Sequence, residues 1–474
     1  MHRIYVITGA IAALAILAAI SLAGSPRPST EADAAIDRGS EYFDVTCVFV
    51  AENGYGGGGH DMEYYGSSGG IGGWAVATTA CNQGNIVAPW YGGTNNVPVI
   101  AQNCYRWEDG RFEQIALAWL KHSFCAVSEP GCGNCQSTNC NTLGIGCADT
   151  YWAGLNADAD APRSEINAYT GEYTYPFSIS PSGPSAIRGR LQIDPSDVDP
   201  NGHPDARFFV EGQYVEPGEV EFNKQNNNAS YKEVAFTSTT NTSGIGSTHH
   251  AVPAIYAWQD AEAGVTIRSL RTKEVADGPD GQAHLGYSVT DNGNGTWHYE
   301  YAVHNQNSHR SFSAFTVPMA ECVVLTNIEF RDVHYHSGEP FEGTDWTTQR
   351  DSSGLTWSTQ RFDENPNANA IRWATMYNFR FDADAPPESF VDGVLEYYRD
   401  GPTATLSMYI DAPKDDCSGG CAEDLDGDNV VAVGDLLACI GYWGATNGDG
   451  DVDGDGICAV SDLLAIIAAW GNVC

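Results

Sequence analysis

Hydrophobic and polar residues alternate in short runs along most of the chain, and glycine, asparagine and aspartate separate these runs. From about residue 41 to 412 this pattern is typical of β-strands joined by tight turns. The clearest hairpin is LGYSVTDNGNGTWHYEYAVHN, in which Asn294-Gly295 supplies the turn. After the turn, apolar residues occupy every second position and predict a strand face in an aromatic core: Trp297, Tyr299, Tyr301 and Val303. The other face of this strand is mostly polar.

Further apolar runs near and after this hairpin predict a β-sandwich over residues 283–412. The predicted strands are 311–317, 323–330, 371–381 and 403–410. The preceding region, 41–282, is predicted to be β-rich and cysteine-containing, with one helix. The predicted fold class is therefore mainly β, with a small all-α domain at residues 413–474.

The one helix expected in the 41–282 region is GRFEQIALAWLKHSF, residues 110–124. Asp109 is a plausible N-cap, and the apolar residues recur at helical spacing. These residues are Phe112, Ile115, Ala116, Trp119 and Leu120. We interpret the stripe as core.

The C-terminal segment contains an internal repeat. DLDGDNVVAVGDLLACIGYWG, from Asp424, aligns without a gap on DVDGDGICAVSDLLAIIAAWG, from Asp451. Each copy predicts an acidic loop followed by one helix. The apolar positions of the two helices recur every three or four residues, so most are expected to pack the helices together: Leu436, Leu437, Ile440, Trp443, Leu463, Leu464, Ile467 and Trp470.

The first twelve residues of each copy fit a calcium loop, because carboxylates stand at positions one, three, five and twelve and position seven offers a backbone carbonyl. Gly456 in the second copy and Asn429 in the first suit the sharp turn at position six. The predicted ligands of the first loop are Asp424, Asp426, Asp428, Val430 and Asp435. Those of the second loop are Asp451, Asp453, Asp455, Ile457 and Asp462.

A duplicated calcium loop with only its following helix, at residues 417–474, resembles the dockerin family. The resemblance implies a module that binds calcium and attaches its carrier to a cohesin-like domain on a scaffold or cell surface. Dockerins most often accompany polysaccharide-degrading enzymes, so the resemblance also implies a search for paired carboxylates in the body, residues 41–412.

The N-terminal residues read as a targeting segment. His2 and Arg3 precede an apolar run, and Ser21-Leu22-Ala23 is a small-x-small cleavage site, which predicts a signal peptide over 1–23. An uncleaved membrane anchor is the alternative. Either reading predicts a secreted, extracellular or surface-attached chain.

Fourteen cysteines agree with secretion, because an even number in an oxidising compartment indicates disulfides. Cys439 and Cys458 could bridge one tail helix to the other loop, and Cys421 and Cys474 could join the ends of the tail. Nine cysteines precede the 411–416 linker and five follow it, so a bridge such as Cys322–Cys417 could cross it. Cys132-x-x-Cys135 is a less favoured half of a zinc site.

The net charge of −38 argues against nucleic acid and anionic membrane surfaces as partners. The expected partners, a cohesin-like domain and polysaccharide, are those that the dockerin resemblance implies. In the body, the candidate chemistry is DVHYHSGEPFEGTDW, where His334 and His336 would share one strand face beside Glu339. Glu113 and His122 are rejected as a pair, because their spacing places them on opposite faces of the predicted helix.

Two function classes therefore remain. One is a non-catalytic, structural or carbohydrate-binding body that is attached through the dockerin-like tail. The other is a glycoside hydrolase attached in the same way. We find no nucleophile elbow and no HExxH motif in the sequence, which favours the first class.

Overall fold

The computed structural model describes residues 40–52, 59–414, 422–428, 430–446 and 448–472. Antiparallel sheets dominate this part of the chain, so the mainly β fold class is confirmed. Among the same residues, no helix is long and apolar enough to cross a membrane. The predicted signal peptide and its cleavage site lie outside the described residues.

As far as the structure describes it, the first part of the body contains fifteen strands of two to ten residues. In chain order they are β1 (Val45–Val50), β2 (Met62–Ser68), β3 (Ile71–Val76), β4 (Thr78–Asn82), β5 (Ala88–Pro89), β6 (Val99–Glu108), β7 (Arg111–Leu117), β8 (Lys121–His122), β9 (Glu129–Pro130), β10 (Thr142–Leu143), β11 (Cys147–Tyr151), β12 (Leu191–Ile193), β13 (Arg207–Val215), β14 (Ala229–Ser238) and β15 (Asn241–His249).

The strands of the second part are longer on average. They are β16 (Thr266–Thr272), β17 (Gly281–Asp291), β18 (Trp297–Asn305), β19 (Phe312–Val317), β20 (Leu325–Arg331), β21 (Thr347–Asp351), β22 (Gly354–Ser358), β23 (Thr375–Ala383), β24 (Pro387–Tyr397) and β25 (Thr405–Pro413). The α-helices are α1 (Ala153–Asn156), α2 (Ala257–Ala261), α3 (Val433–Gly441) and α4 (Val460–Ala468).

A six-stranded sheet organises the first part of the body. Its order is β15-β14-β13-β6-β7, with β8 also paired to β6. A four-stranded sheet, β1-β4-β11-β9, packs on it, and a three-stranded sheet, β12-β3-β2, completes the layer. Buried side chains from these sheets form one core, which includes Val45, Trp74, Cys104, Val210 and Tyr214.

Three disulfides secure the loops of this region: Cys81–Cys132, Cys125–Cys140 and Cys135–Cys147. Cys132 and Cys135 are both oxidised, so they cannot form half of a zinc site. Cys322 is also disulfide-bonded, whereas Cys417, with which we expected it to pair, lies outside the described residues. Cys421 and Cys474 lie outside them as well.

The second part of the body is a β-sandwich of two five-stranded sheets, β16-β17-β18-β23-β20 and β21-β22-β19-β24-β25. Aromatic rings from the two sheets pack together. The ring centroids of Tyr301 and Phe315 are 5.6 Å apart, and those of Trp357 and Phe379 are 5.3 Å apart. The four strands predicted at 311–317, 323–330, 371–381 and 403–410 are present as β19, β20, β23 and β25. The β17–β18 hairpin is also confirmed, although its loop runs from Asn292 to Thr296.

The helix predicted over 110–124 is wrong. Asp109 and Gly110 have φ angles of 49° and 82° and form a tight turn, after which β7 pairs with β6. Both faces of β7 are covered: Phe112 packs in one core and Ala116 in another, and the buried Glu113 accepts hydrogen bonds from Arg106. Because apolar residues were needed on both faces, the two-residue period of the strand was hidden.

The polar face of β18 is also buried. It faces β7 and the α2 region, where Arg111 forms an ion pair with Glu300 at 3.1 Å. Gln114 of β7 donates to the Ala374 carbonyl at 3.3 Å and accepts from the Met376 N–H at 2.8 Å. Side chains therefore join the two parts of the body where no regular ladder does.

Two histidines lie in this polar interior. His284 and His304 are opposite each other on β17 and β18, with ring centroids 5.8 Å apart. His284 Nε2 donates to Gln306 Oε1 at 2.9 Å, whereas neither ring nitrogen of His304 has a partner among the described residues. Burial lowers the pKa of both imidazoles to about 3, so both are neutral at pH 7.

This burial predicts acid sensitivity. Below the ordinary histidine pKa of about 6.5 the unfolded chain takes up protons that the folded chain cannot, so each histidine lowers the free energy of unfolding by up to about 1.4 kcal/mol per pH unit. The effect accumulates as the pH falls towards about 3. His304→Gln should reduce the slope of the free energy of unfolding against pH by up to about 1.4 kcal/mol per pH unit. Denaturant unfolding between pH 7 and pH 5 measures this slope.

The exposed His250 provides the control, since His250→Gln should leave the slope unchanged. Buried Glu216 and Glu219 have the opposite effect on the pH dependence, because burial raises their pKa. Their contribution to the free energy of unfolding therefore falls as the pH rises. Comparing variants at each pH removes this contribution. Equal slopes in wild type and His304→Gln would contradict the prediction.

Candidate metal centre

The two tail repeats fold as related halves. Each acidic loop leads into one helix, α3 or α4, as predicted. Val431 of the first loop exchanges backbone hydrogen bonds with Gly471 and Asn472, which follow α4. Cys458, at the matching position of the second loop, pairs with Gly444 and Ala445, which follow α3. Each loop is therefore held by the chain that leaves the helix of the other repeat.

The structure gathers most of the predicted acidic ligands. In the first loop one ligand atom from each of Asp424, Asp426, Asp428 and Asp435 lies within 4.8 Å of all the others. In the second loop the same holds for Asp451, Asp453 and Asp462. Asp455 is not part of this second cluster, and its Oδ1 accepts the Ile457 N–H at 3.0 Å. These clusters could hold a metal ion.

The twelfth residue of each loop joins the loop to its helix. Asp435 is buried in the first turn of α3, and its Oδ1 accepts the N–H groups of Leu425 and Asp426 at 2.7 and 3.1 Å. Its Oδ2 accepts the Ala432 N–H at 2.7 Å, as in a capping box. Asp462 repeats this arrangement with Val452, Asp453 and Ala459.

These bonds limit how the twelfth residue can bind an ion. A carboxylate oxygen has two acceptor positions, and the two N–H donors use both of them on Oδ1 of Asp435. Oδ2 accepts one N–H and keeps one position. Asp435 can therefore offer a single ligand atom without losing a hydrogen bond, unlike the bidentate residue at the end of an EF-hand loop.

Two carboxyls of the first loop, Asp435 and Asp426, have pKa values shifted in opposite directions. Burial opposes ionisation of Asp435, but the N–H donors of Ala432, Asp426 and Leu425 outweigh it and lower the pKa of this carboxyl. Desolvation and the neighbouring Asp428, Asp435 and Asp424 raise the pKa of Asp426. In the second loop the N–H of Ala459 contributes most to the lowered pKa of Asp462. A cation between the carboxylates would relieve their repulsion.

Two further observations fit a cation. Oδ1 of Asp451 is shielded from solvent and has no hydrogen-bond partner among the described residues. The hydrogen bonds of that part of the chain also leave free the carbonyl oxygens of Val430 and Ile457, the predicted backbone ligands. All donors offered are oxygens, which suits a hard cation. Asn429, assigned to the turn of the first loop, lies outside the described residues.

The expected packing of the tail helices is wrong in detail. Leu436 and Leu463 pack inward, but Leu437, Ile440, Trp443, Leu464, Ile467 and Trp470 are each 48% to 62% exposed. The core is made instead by Val431, Cys439, Cys458 and Ile466. Because the module is so short, one residue per helix and one per loop fill its centre, and the remaining apolar residues stay outside.

The candidate constellation of the body is structural. His334 and His336 lie in an irregular segment, not on the expected strand. His336 Nε2 donates to the Leu117 carbonyl at 2.8 Å. Glu339 accepts the backbone N–H groups of Arg163 and Ser164 at 2.5 and 3.3 Å. These three residues do not appear in either acidic cluster of the described chain.

The rejected pair also has separate structural partners. Glu113 forms ion pairs with Arg106 and Arg331, whereas His122 Nε2 donates to the Thr94 carbonyl at 2.8 Å. The sequence reasoning missed one polar cavity in the body, lined by Lys121, Asp158, Asp160, Arg188 and Arg190 among others. These residues are distant in sequence and share no motif, so only the fold reveals their proximity.

No protein-family model, curated protein or solved structure matches this chain. The likeness of the tail to dockerins therefore rests on the repeat itself and on the acidic clusters that it forms.

The expected Cys439–Cys458 bridge is not formed in the structure, where the two buried sulfurs lie 3.6 Å apart. A disulfide needs an S–S distance of about 2.05 Å, which a small side-chain movement would provide. Desolvation and the Cys458 sulfur raise the pKa of the Cys439 thiol to about 11. We predict that mild oxidation at alkaline pH joins the two sulfurs, as detected by peptide mass mapping.

The control is Cys458→Val, which places in the second loop the residue that the first loop has at Val431. This variant should keep a free Cys439 thiol after the same treatment. Recovery of both cysteines as thiols from the oxidised wild-type protein would refute the prediction.

Proposed function

We propose that this chain is a secreted, β-rich protein that attaches to a scaffold or cell surface through a calcium-dependent, dockerin-like module, and that its body binds carbohydrate or serves a structural role. The observation that carries the proposal is the tail geometry. Two matching loops each collect at least three aspartates, and each precedes a helix with an exposed apolar stripe.

Calcium is the cation that best suits this donor set. The clusters offer carboxylate and carbonyl oxygens, with neither thiolate nor imidazole among the predicted ligands. Calcium accepts six to eight oxygen ligands in flexible geometry, whereas magnesium requires a near-ideal octahedron and retains its water. Loops that provide three or four carboxylates and one carbonyl, with water completing the shell, fit calcium.

The exposed stripes are the proposed docking surface. Val433, Leu437, Ile440 and Trp443 on the first repeat correspond to Val460, Leu464, Ile467 and Trp470 on the second. Exposed apolar patches of this kind commonly mark sites of protein association. The duplicated surface would allow a partner to bind in either of two related orientations.

The charge of the tail indicates what kind of surface the partner should present. After Lys414 the chain contains twelve acidic residues and no lysine, arginine or histidine. A cohesin-like partner should therefore present an apolar patch with a basic rim, since complementary charge favours association and orientation.

The body supports secretion and carbohydrate binding. The three disulfides in its first part are typical of an oxidising compartment. Several aromatic side chains are about 40% exposed, namely Tyr91, Phe124, Trp152 and Tyr175. The Phe124 ring contacts Tyr151, the residue before Trp152. The backbone of Phe124 lies close to Gly92, the residue after Tyr91. These rings offer apolar faces to a polysaccharide.

A glycoside hydrolase is the second candidate. The observation in its favour is that two carboxylates, Asp158 and Asp160, line the same cavity of the body. Paired carboxylates are what glycoside hydrolysis requires. Release of reducing ends from a polysaccharide, abolished in Asp160→Asn, would favour this candidate over a binding module.

Calcium binding gives a direct test. Isothermal titration of the full chain should reveal two calcium sites. Asp435→Asn and Asp462→Asn should each lower the calcium affinity of one site by at least about ten-fold, because even substitutions that only touch the ligands from outside cause a loss of this size. Glu423→Gln, an acidic neighbour outside both clusters, should bind as the wild type does. Unchanged binding in both asparagine variants would count against the assignment.

The docking surface predicts a particular pattern of partner loss. In pull-downs from the envelope fraction of the source cell, calcium should be required. Leu437→Asp or Leu464→Asp alone should leave one orientation usable, whereas the double variant should abolish capture. Ile245→Asp, a similarly exposed position on the body, is the control. Full capture by the double variant would show that the stripes are not the docking surface.

A further inference from the structure

The cavity of the body lies where three distant segments meet. It encloses about 170 Å³ and draws its walls from β8, from residues 157–160 after α1 and from residues 181–190 before β12. This volume is smaller than the 300–1,000 Å³ typical of pockets for drug-sized ligands, so it suits one small group of a larger molecule.

Three cationic side chains converge on this cavity: Lys121, Arg188 and Arg190. The chain has 23 lysines and arginines against 61 acidic residues, so carboxylate partners are available in excess. Yet none of the three belongs to an ion pair within 4.0 Å among the described residues. Asp158 and Asp160 also line the wall, which leaves one net positive charge.

The cations are held in place by groups other than carboxylates. Lys121 is buried, and its Nζ donates to the Asp158 backbone carbonyl at 3.1 Å. The Arg190 guanidinium stacks 4.5 Å from the Tyr65 ring centroid and donates to the Ser185 carbonyl. Nε of Arg190 is shielded from solvent and has no hydrogen-bond partner in the described chain. Arg188 is exposed at the rim.

The wall itself is preorganised. Gly189 has a φ of +74°, and a Cβ there would approach the Ala159 carbonyl to 2.9 Å, so only glycine lets the two loops meet. Its N–H donates to Ser337 Oγ at 2.9 Å, and its carbonyl accepts the Trp119 N–H at 3.0 Å. A ligand would therefore meet donors that are already positioned, which lowers the entropic cost of binding.

An aromatic residue adjoins the cationic side chains. Nζ of Lys121 lies 5.4 Å from the centroid of the exposed Phe124 ring. A sugar chain that placed an anionic group in the cavity could lay a neighbouring ring on this aromatic face.

We propose that this cavity binds the carboxylate or sulfate group of an acidic polysaccharide, with Lys121, Arg188 and Arg190 as the anion-binding residues and Phe124 as the platform for an adjacent sugar. The proposal rests on the carbohydrate-binding function of the body and names its ligand class. Lysine and arginine form strong, charge-assisted hydrogen bonds with both anions. The overall charge of −38 repels polyanions, so binding depends on this local site.

The test is titration of the full-length protein with polygalacturonate as the carboxylate polymer, dextran sulfate as the sulfate polymer, and dextran as the neutral polymer. Binding to at least one acidic polymer and not to dextran is expected, and the acidic polymer bound identifies the anion. Arg188→Gln, at the exposed rim, should weaken that binding by about ten-fold or more. Arg361→Gln, in an exposed ion pair with Asp400, should not.

The possible failures are distinguishable. If all three polymers bind equally and Arg188→Gln has no effect, the anion site is wrong but carbohydrate binding stands. If none binds, both proposals fail. Phe124→Ala separates the platform from the anion site, because it should weaken polymer binding while leaving the affinity for free galacturonate unchanged. A loss of free galacturonate affinity equal to that of Arg188→Gln would overturn the separate roles.

Discussion

A buried guanidinium is one of the groups that join the two parts of the body. Arg163 donates through Nε to the Ala118 carbonyl at 2.7 Å and through Nη2 to Gln102 O and Asn103 Oδ1 of the six-stranded sheet. Its Nη1 reaches the Ala374 carbonyl of the sandwich at 3.5 Å, and its own carbonyl accepts the Trp373 indole N–H. A buried charge is tolerated only when its donors are satisfied, and here the sandwich supplies one of the acceptors that the guanidinium needs. The 334–339 segment closes over the same residue through Glu339.

The distinction between what sequence could and could not predict follows from how many faces of a strand are buried. In β18 the aromatic residues occupy one face, so the two-residue period was visible and the strand was predicted. The same period concealed that His304 and Glu300 on the polar face are also buried, since a polar face normally meets solvent. In β7 both faces carry apolar residues, and the strand was mistaken for a helix.

The two candidate sites differ in whether their residues lie close together or far apart in the sequence. The acidic loops were predictable because the candidate ligands of each lie within twelve consecutive residues, and this spacing brings most of their carboxylates together. Even there, the outward direction of Leu437 and Leu464 depends on how small a core two helices of nine residues can enclose. The cationic cavity could not be predicted, because Lys121 and Arg190 are brought together by strand pairing and by the turn at Gly189.

The crossed backbone pairing of the tail has a consequence for how its two loops respond to ions. Val431 is held by the segment after α4, and Cys458 by the segment after α3, so neither loop can loosen without releasing the end of the opposite helix. The first ion to bind would order both halves, and the second would bind to a module whose conformational entropy has already been reduced. Filling of the two loops should therefore be cooperative, with a Hill coefficient above one, and the module should become ordered over a narrow range of ion concentration.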